Sequence, residues 1–344
     1  MSAARIIHVP GELGVNSYGL SRAERELGLE SDVAVFNPSP YGYGYDIDLH
    51  AGAGQPFWRR MARRASFLRR ALREYDVFHF NFGLTLLSVR QLGFVLDELA
   101  WVKRRGKTVL FTYQGSDVRP SASCPCGRED CRRLDRYRGP AARRALRFAD
   151  RVFYLNPDLR RWLPGARFLP YANVDAREYE PLPLPDGEEL VVAHAPTNRE
   201  VKGTSHVIDA VEALRGEGLP IRLDLIEGTN REEVRGRLGR ADLAVDQLLI
   251  GWYGGFAVEA MALGRPVLAY ICEDEPEDNP FGESLPIVRT SPSSLVDDLR
   301  RLAADREGRH ELARSSRAFV EEQHDPRKLA RTALEGLVAI PAGG

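Results

Sequence analysis

Three stretches of the sequence carry residue types whose spacing suits a ligand that is both phosphorylated and rich in hydroxyls. In Gly251-Trp252-Tyr253-Gly254-Gly255-Phe256-Ala257-Val258-Glu259-Ala260-Met261-Ala262, a glycine-rich turn runs into a helix expected to open near Ala257, with Glu259 in its first turn. Amides at a helix N-terminus lie at the positive end of the dipole and suit an anion. Gly254 and Gly255, followed by Phe256, let a diphosphate or a sugar approach the backbone. A carboxylate at Glu259 can accept from two vicinal hydroxyls, as a ribose offers. The same spacing also describes a capped helix packed on a sheet, with Glu259 complementing the dipole.

The second stretch, His194 to Thr204, follows an apolar strand and contains Arg199 and Lys202. Fixed cations aimed at a departing diphosphate stabilise its growing charge in the transition state without a metal. The sequence has only four lysines (103, 107, 202 and 328), so Lys202 is not drawn from a lysine-rich surface. The alternative is a pair of solvated charges ahead of a helix. On the catalytic reading, Lys202→Ala costs turnover far more than folding stability. The third stretch is Tyr113-Gln114-Gly115-Ser116-Asp117-Val118-Arg119. Gln114 can hydrogen-bond a sugar but cannot exchange a proton, and an ordinary polar turn has the same composition.

These segments need elements to position them. Arg5–Val9, Val33–Phe36, Val77–Phe80, Thr108–Tyr113 and Val152–Leu155 read as strands, with helices at Ser17–Leu29 and from about Leu84 to Arg105. Pro181, Pro183 and Pro185 lie in an aperiodic stretch that reads as a linker. Strands then return at Leu190–His194, Ile221–Ile226, Leu243–Val245 and Pro266–Tyr270, and a helical tail from Ser293 to Ile340 breaks at Asp325-Pro326. Strand–helix alternation predicts parallel sheets covered by helices on both faces. The expected division is 1–170, a linker at 171–189, a second α/β domain at 190–325, and a last helix in 326–344 crossing back to the first domain.

A chain of 344 residues exceeds what one core usually serves, and a net charge of −1 argues against a surface built for nucleic acid. No run is long and apolar enough to span a bilayer and no signal peptide is apparent, so a cytoplasmic protein is expected. Cys124, Cys126 and Cys131 cluster, but a structural zinc would need a fourth ligand; a polar loop of reduced thiols is the simpler reading. Residues 57–73 form an amphipathic helix with Phe57 and Trp58 beside seven arginines. Packing on the sheet is preferred over docking at the inner membrane face on anionic lipid, although the second would suit a lipid-linked acceptor. Asp46-Ile47-Asp48 matches a metal-binding pattern in the wrong context and is read as chance.

The run Gly254 to Val267, ending in Ala260-Met261-Ala262-Leu263-Gly264-Arg265-Pro266-Val267, resembles the donor-site signature of retaining glycosyltransferase family 4. The resemblance implies an α/β protein with two Rossmann-like doubly wound domains facing across a cleft, the GT-B type. It implies that Glu259 binds the ribose of a nucleotide-sugar, that Gly254, Gly255 and Phe256 face the sugar, and that Lys202 holds the diphosphate. Arg199 substitutes for an arginine that the family carries further upstream. Gln114 stands where the family's His-Gly-Ser-Asp loop has histidine, with Asp117 matching its aspartate, and Gly14 and Asn16 lie in the opening loop near the donor phosphates. The family also has a glutamate eight positions before the one matched by Glu259, where this chain has Gly251. The implied activity is sugar transfer with retention and without a divalent metal or other cofactor, to a sugar, lipid-linked or small-molecule acceptor. A degenerate relative that binds nucleotide or glycan without turnover is the alternative. A dinucleotide-dependent oxidoreductase is disfavoured by the missing Gly-x-Gly-x-x-Gly fingerprint.

Overall fold

The computed structural model describes residues 4–11, 16–89, 98–124 and 129–341. In chain order the elements begin β1 (Arg5–Val9), α1 (Asn16–Glu26), β2 (Glu30–Val35), β3 (Ile47–Asp48), α2 (Phe57–Glu74), β4 (Val77–Asn81), α3 (Leu99–Arg104), β5 (Thr108–Tyr113), α4 (Glu129–Phe148), β6 (Arg151–Tyr154) and β7 (Arg167–Phe168). They continue with β8 (Leu190–His194), α5 (Arg199–Lys202), α6 (Thr204–Gly216), β9 (Ile221–Leu225), α7 (Arg231–Leu238), β10 (Leu243–Val245) and α8 (Gly255–Ala262). The last are β11 (Val267–Ala269), β12 (Ile287–Arg289), α9 (Leu295–Ala304), α10 (Arg306–Gln323) and α11 (Pro326–Leu334). Two compact units result, Met1–Asn173 with Pro326–Gly344, and Val174–Asp325.

The first unit is a parallel sheet in the order β3-β2-β1-β4-β5-β6-β7. Its inner strands are largely apolar on both faces because helices cover both, with His8, His79 and Thr112 among the buried polar exceptions inside them. Ile7, Val9, Phe78, Phe80, Val109 and Phe111 pack with Phe67, Leu68 and Leu72 of α2 and with alanines of α4. Ile6, Val77, Leu110 and Phe153 turn the other way, under Leu20 and Ala23 of α1, Leu27 just after it, and Leu329, Ala330 and Leu334 of α11. Each buried leucine, isoleucine, valine or phenylalanine among them contributes about 1.5–3 kcal/mol. Arg151 donates to the carbonyls of Thr332, Ala333 and Glu335, placing a cation at the negative end of α11.

The second unit is a parallel sheet ordered β12-β11-β10-β8-β9. Leu190, Val192, Leu243, Val245 and Leu268 are covered by Val207, Val211 and Leu214 of α6 and by Leu295, Leu299 and Leu302 of α9. From β8 the chain goes to β9 on one side and then to β10 on the other. The order therefore reverses between β8 and β10, and their following loops part there, which is where open α/β sheets bind ligands.

Several elements differ from expectation. Residues 84–89 are not helical, with Phe82 and Gly83 at φ 56° and 59° ahead of them, so no helix opens at Leu84; among the described residues it begins only at Leu99. The stretch expected as a linker is docked on the units. Tyr171 and Ala172 bond to Asn156 and Asn16 of the first. In the second, Arg265 donates to the carbonyls of Leu182 and Pro183, and Arg317 to those of Ala176 and Tyr179. Asp46 accepts from Val33 N and Arg25, and Asp48 from His50 N, so both carboxylates serve the β2–β3 edge. No described helix is long and apolar enough to cross a membrane.

Close approach of α1 to Ala172 requires a glycine: a Cβ at Gly19 would lie 1.7 Å from the Ala172 carbonyl oxygen. Gly236 inside α7 meets nothing within 4 Å. In urea titrations, Gly19→Ala is expected to lower stability by about 2 kcal/mol or more through overpacking. Gly236→Ala should raise it by about 0.5–1 kcal/mol through helix propensity. Equal effects at the two positions would contradict the packing.

Candidate functional site

The loops that part at the second unit's switch point are joined by an ion pair. Asn198 caps α5 by accepting from Val201 N at 3.0 Å, and Gly203 ends it in the left-handed region at φ 75°. That single turn directs Lys202 across to Asp246, just beyond β10, with Nζ 2.5 Å from Oδ1. The Lys202 side chain is 13% exposed and that of Asp246 1%. The second Asp246 oxygen accepts the amide of Gly254 at 2.5 Å. Asp246 thus fixes both the lysine and the residue from which α8 starts. The helix opens two residues earlier than expected, at Gly255, so Glu259 lies in its second turn.

A Cβ at Gly254 would stand 3.2 Å from Lys202 Nζ, 3.3 Å from Asp246 Oδ2 and 3.8 Å from Gln247 Oε1. Gln247 donates its amide nitrogen to the Trp252 carbonyl, which turns its oxygen into this space. At Gly251 a Cβ would come within 2.3 Å of Cys272 Cβ, and Cys272 N donates to the Gly251 carbonyl at 3.0 Å. No side chain fits at 251 without displacing the chain at Cys272, beyond β11. Gly255 and Phe256 are half-buried in the first turn of α8.

Glu259 is buried and accepts from Arg231 Nε at 2.8 Å; Arg231 also donates to the Tyr179 hydroxyl at 2.8 Å. Burial, and then the Glu259 charge, push the Tyr179 hydroxyl well above its ordinary range. Arg199 projects from α5 and is bidentate to Glu227, at 2.8 Å through Nε. Its side chain is 57% exposed, and its hydrogen bond holds the Glu227 carboxyl below the usual range. His194 contacts the Val245 carbonyl and Thr204 Oγ1, at 2.8 and 2.9 Å. Burial pushes its imidazole down, so it is a neutral brace between β8, β10 and α6.

In the first unit, Asp117 accepts from Gln114 N and Gly115 N, the latter at 2.7 Å, so its carboxylate shapes the loop after β5. Gly115, at φ 152°, permits that turn. The Gln114 amide nitrogen is buried and has no partner among the described residues. Asn16 is buried and accepts from Ala172 N at 2.6 Å, tying α1 to the chain after β7. Gly14 and Cys126 lie outside the described residues. Cys124 and Cys131 are half-buried, and the Cys131 sulfur accepts from Arg138. Among the described residues, the groupings close enough to hold a metal are His8, Glu24 and His79, buried between α1 and strands β1 and β4, and Cys272, Asp274 and Asp278.

Asp246, Gln247, Arg231 and Tyr179 were not singled out in the sequence. The one signal for Asp246 was a charged residue immediately after a three-residue apolar strand, at the edge where ligands bind.

No family model matches the sequence, and no curated protein matches it. Solved structures do. Sucrose-phosphate synthase from Thermosynechococcus elongatus superposes with a TM-score of 0.67 at 18% identity, over 96% of this chain and 97% of that one. The fold is that of the GT-B glycosyltransferases. HepE of Anabaena, solved with UDP-glucose, gives 0.63 at 15% identity over 98% and 99% of the two chains. WaaG, a glycosyltransferase of lipopolysaccharide biosynthesis, gives 0.60 at 15% over 96% and 100%.

The buried pair changes what Lys202→Ala can report, because the variant strands the Asp246 carboxylate. It is expected to cost about 3 kcal/mol in a urea titration, the effect of removing one partner of a buried pair. Adding Asp246→Asn, which keeps an oxygen for the Gly254 amide, should return most of that loss. A double variant as unstable as the sum of the two singles would show the charges to be uncoupled.

Proposed function

We propose that this chain transfers a sugar from a nucleoside-diphosphate sugar to an acceptor, with retention of configuration and without a divalent metal. The observation that carries this reading is the convergence of Lys202 on Gly254, at the switch point of the second sheet and at the start of the helix bearing Glu259. The GT-B fold supports it.

In this reading Glu259 accepts the ribose hydroxyls, exchanging part of its bond to Arg231. Lys202 holds the diphosphate and opposes the charge that grows as the glycosidic bond breaks. Arg199 contributes less, since Glu227 already neutralises it. Gly254, Gly255 and Phe256 line the sugar. On the first unit we assign Gln114 to hydrogen bonding with substrate, on the strength of its unpartnered amide nitrogen. Asp117 acts by shaping the Gln114 loop, and the resemblance alone assigns Gly14 and Asn16 to the donor phosphates. A front-face departure, in which the leaving phosphate oxygen takes the acceptor's proton, needs no base and is compatible with glutamine at 114.

The acceptor is a sugar, a lipid-linked glycan or a small molecule. Phe57 and Trp58, at the start of α2, are 45% and 65% exposed, while the later stripe residues Phe67, Leu68, Ala71 and Leu72 are buried. The helix therefore packs on the sheet through its second half and leaves an aromatic, arginine-rich end outside. That end supports docking on anionic lipid at the inner membrane face. Vesicles containing phosphatidylglycerol are expected to co-sediment the protein at low salt and release it at high salt. Phe57→Ser/Trp58→Ser should abolish the effect, and equal sedimentation of the variant would remove this surface.

The decisive assay incubates a panel of UDP-, ADP- and GDP-sugars in EDTA with no added divalent cation. Release of nucleoside diphosphate is the expected result. A strict need for Mg²⁺ or Mn²⁺ counts against a lysine-held leaving group, and binding without turnover of any donor marks a degenerate relative.

A further inference from the structure

Resting on the nucleotide-sugar reading, the cradle over Gly254 says which part of the donor sits there. Lys202 Nζ, Asp246 Oδ2 and Gln247 Oε1 all lie within 4 Å of the point where a Cβ of residue 254 would be. Only one of the three is a cation. The other two are acceptors: an aspartate whose side chain is 1% exposed, and an amide oxygen aimed inward by the Trp252 carbonyl behind it. Phosphate oxygens only accept hydrogen bonds from protein donors, so a phosphate in this cradle would meet one favourable partner and two repelling ones. A sugar hydroxyl donates as well as accepts. It can give its proton to Asp246 or Gln247 and accept from Lys202.

We propose that Asp246, with Gln247, is the specificity-determining pair that reads the hydroxyls of the transferred sugar, and that Lys202 bridges from this sugar pocket to the diphosphate. The backbone explains why the acceptors come from the end of β10. Position 251 cannot carry a side chain against Cys272, whereas 246 and 247 stand directly under the turn. Glycine at 254 is then required for space, since its φ of −110° is open to any residue.

Two variants test this with titration calorimetry. Asp246→Asn keeps size and an oxygen for the Gly254 amide but removes the carboxylate charge that strengthens a bond from a sugar hydroxyl. Gly254→Ala puts a methyl group into the cradle, 3.2 Å from Lys202 Nζ and 3.3 Å from Asp246 Oδ2. The probes are UDP and UDP-glucose, ADP and ADP-glucose, and GDP and GDP-glucose. For whichever pair the native protein binds best, each variant is expected to weaken the nucleotide-sugar by about tenfold or more, the loss of one charge-assisted hydrogen bond. The free diphosphate should change by no more than about threefold, or bind more tightly to Asp246→Asn, where Lys202 is released. Parallel losses for both ligands, or a native protein that gains nothing from the attached sugar, would overturn the assignment while leaving nucleotide binding intact. A native protein that binds none of the six ligands instead overturns the nucleotide-sugar reading itself. Should Asp246→Asn unfold, Gly254→Ala alone carries the same comparison.

Discussion

The Asp246 carboxylate holds the second unit's ligand edge together. A parallel sheet delivers its loops to one edge, but where the strand order reverses those loops diverge and leave backbone and side-chain groups to be satisfied. Here a single acidic residue spans the gap. One oxygen meets the lysine arriving from β8 and the other meets the amide from which α8 begins. The position of the helix, and with it that of Glu259, follows from the second bond. A buried carboxylate needs this compensation, because leaving it unpaired costs several kcal/mol. Lys202 is therefore structural as well as chemical, and its two roles compete for one ammonium group.

A similar division of labour recurs where the chain needed anchoring. Arg265 is fully buried and spends its donors on the carbonyls of Ala241, Leu182 and Pro183. Arg317 does likewise for Ala176, Tyr179 and Ala262. A planar guanidinium with five donors can satisfy several carbonyls of an irregular segment at once, which lysine cannot. This is how a proline-rich stretch without secondary structure of its own becomes part of a unit.

Much of the fold was legible because strand runs covered on both faces are largely apolar and are punctuated by glycine and proline. β1, β5, β8 and β10 fall on their expected residues, and the tail resolves into α9, α10 and α11 with the break at Pro326. The failures share one physical origin. The turn at Gly83 and the docking of residues 174–185 depend on partners distant in sequence, and local periodicity does not carry that information. The candidate site divides the same way. Lys202, Gly254 and Glu259 announce themselves by type and context. Asp246 pairs with a residue 44 positions away, and Arg231 reaches Glu259 over 28. Arg199 was legible as a cation, but its neutralisation by Glu227 was not.

The return of α11 to the first unit has a consequence for biosynthesis. Residues 326–334 leave the ribosome after all of 174–325, yet they cover Leu20 and Ala23 of α1 and Leu27 beyond it. The second unit therefore has its whole sequence available while the first, though begun earlier, still lacks one layer. Until the last helix arrives, that apolar face is open to water and to chaperones, so the half of the molecule translated first is the half that finishes last.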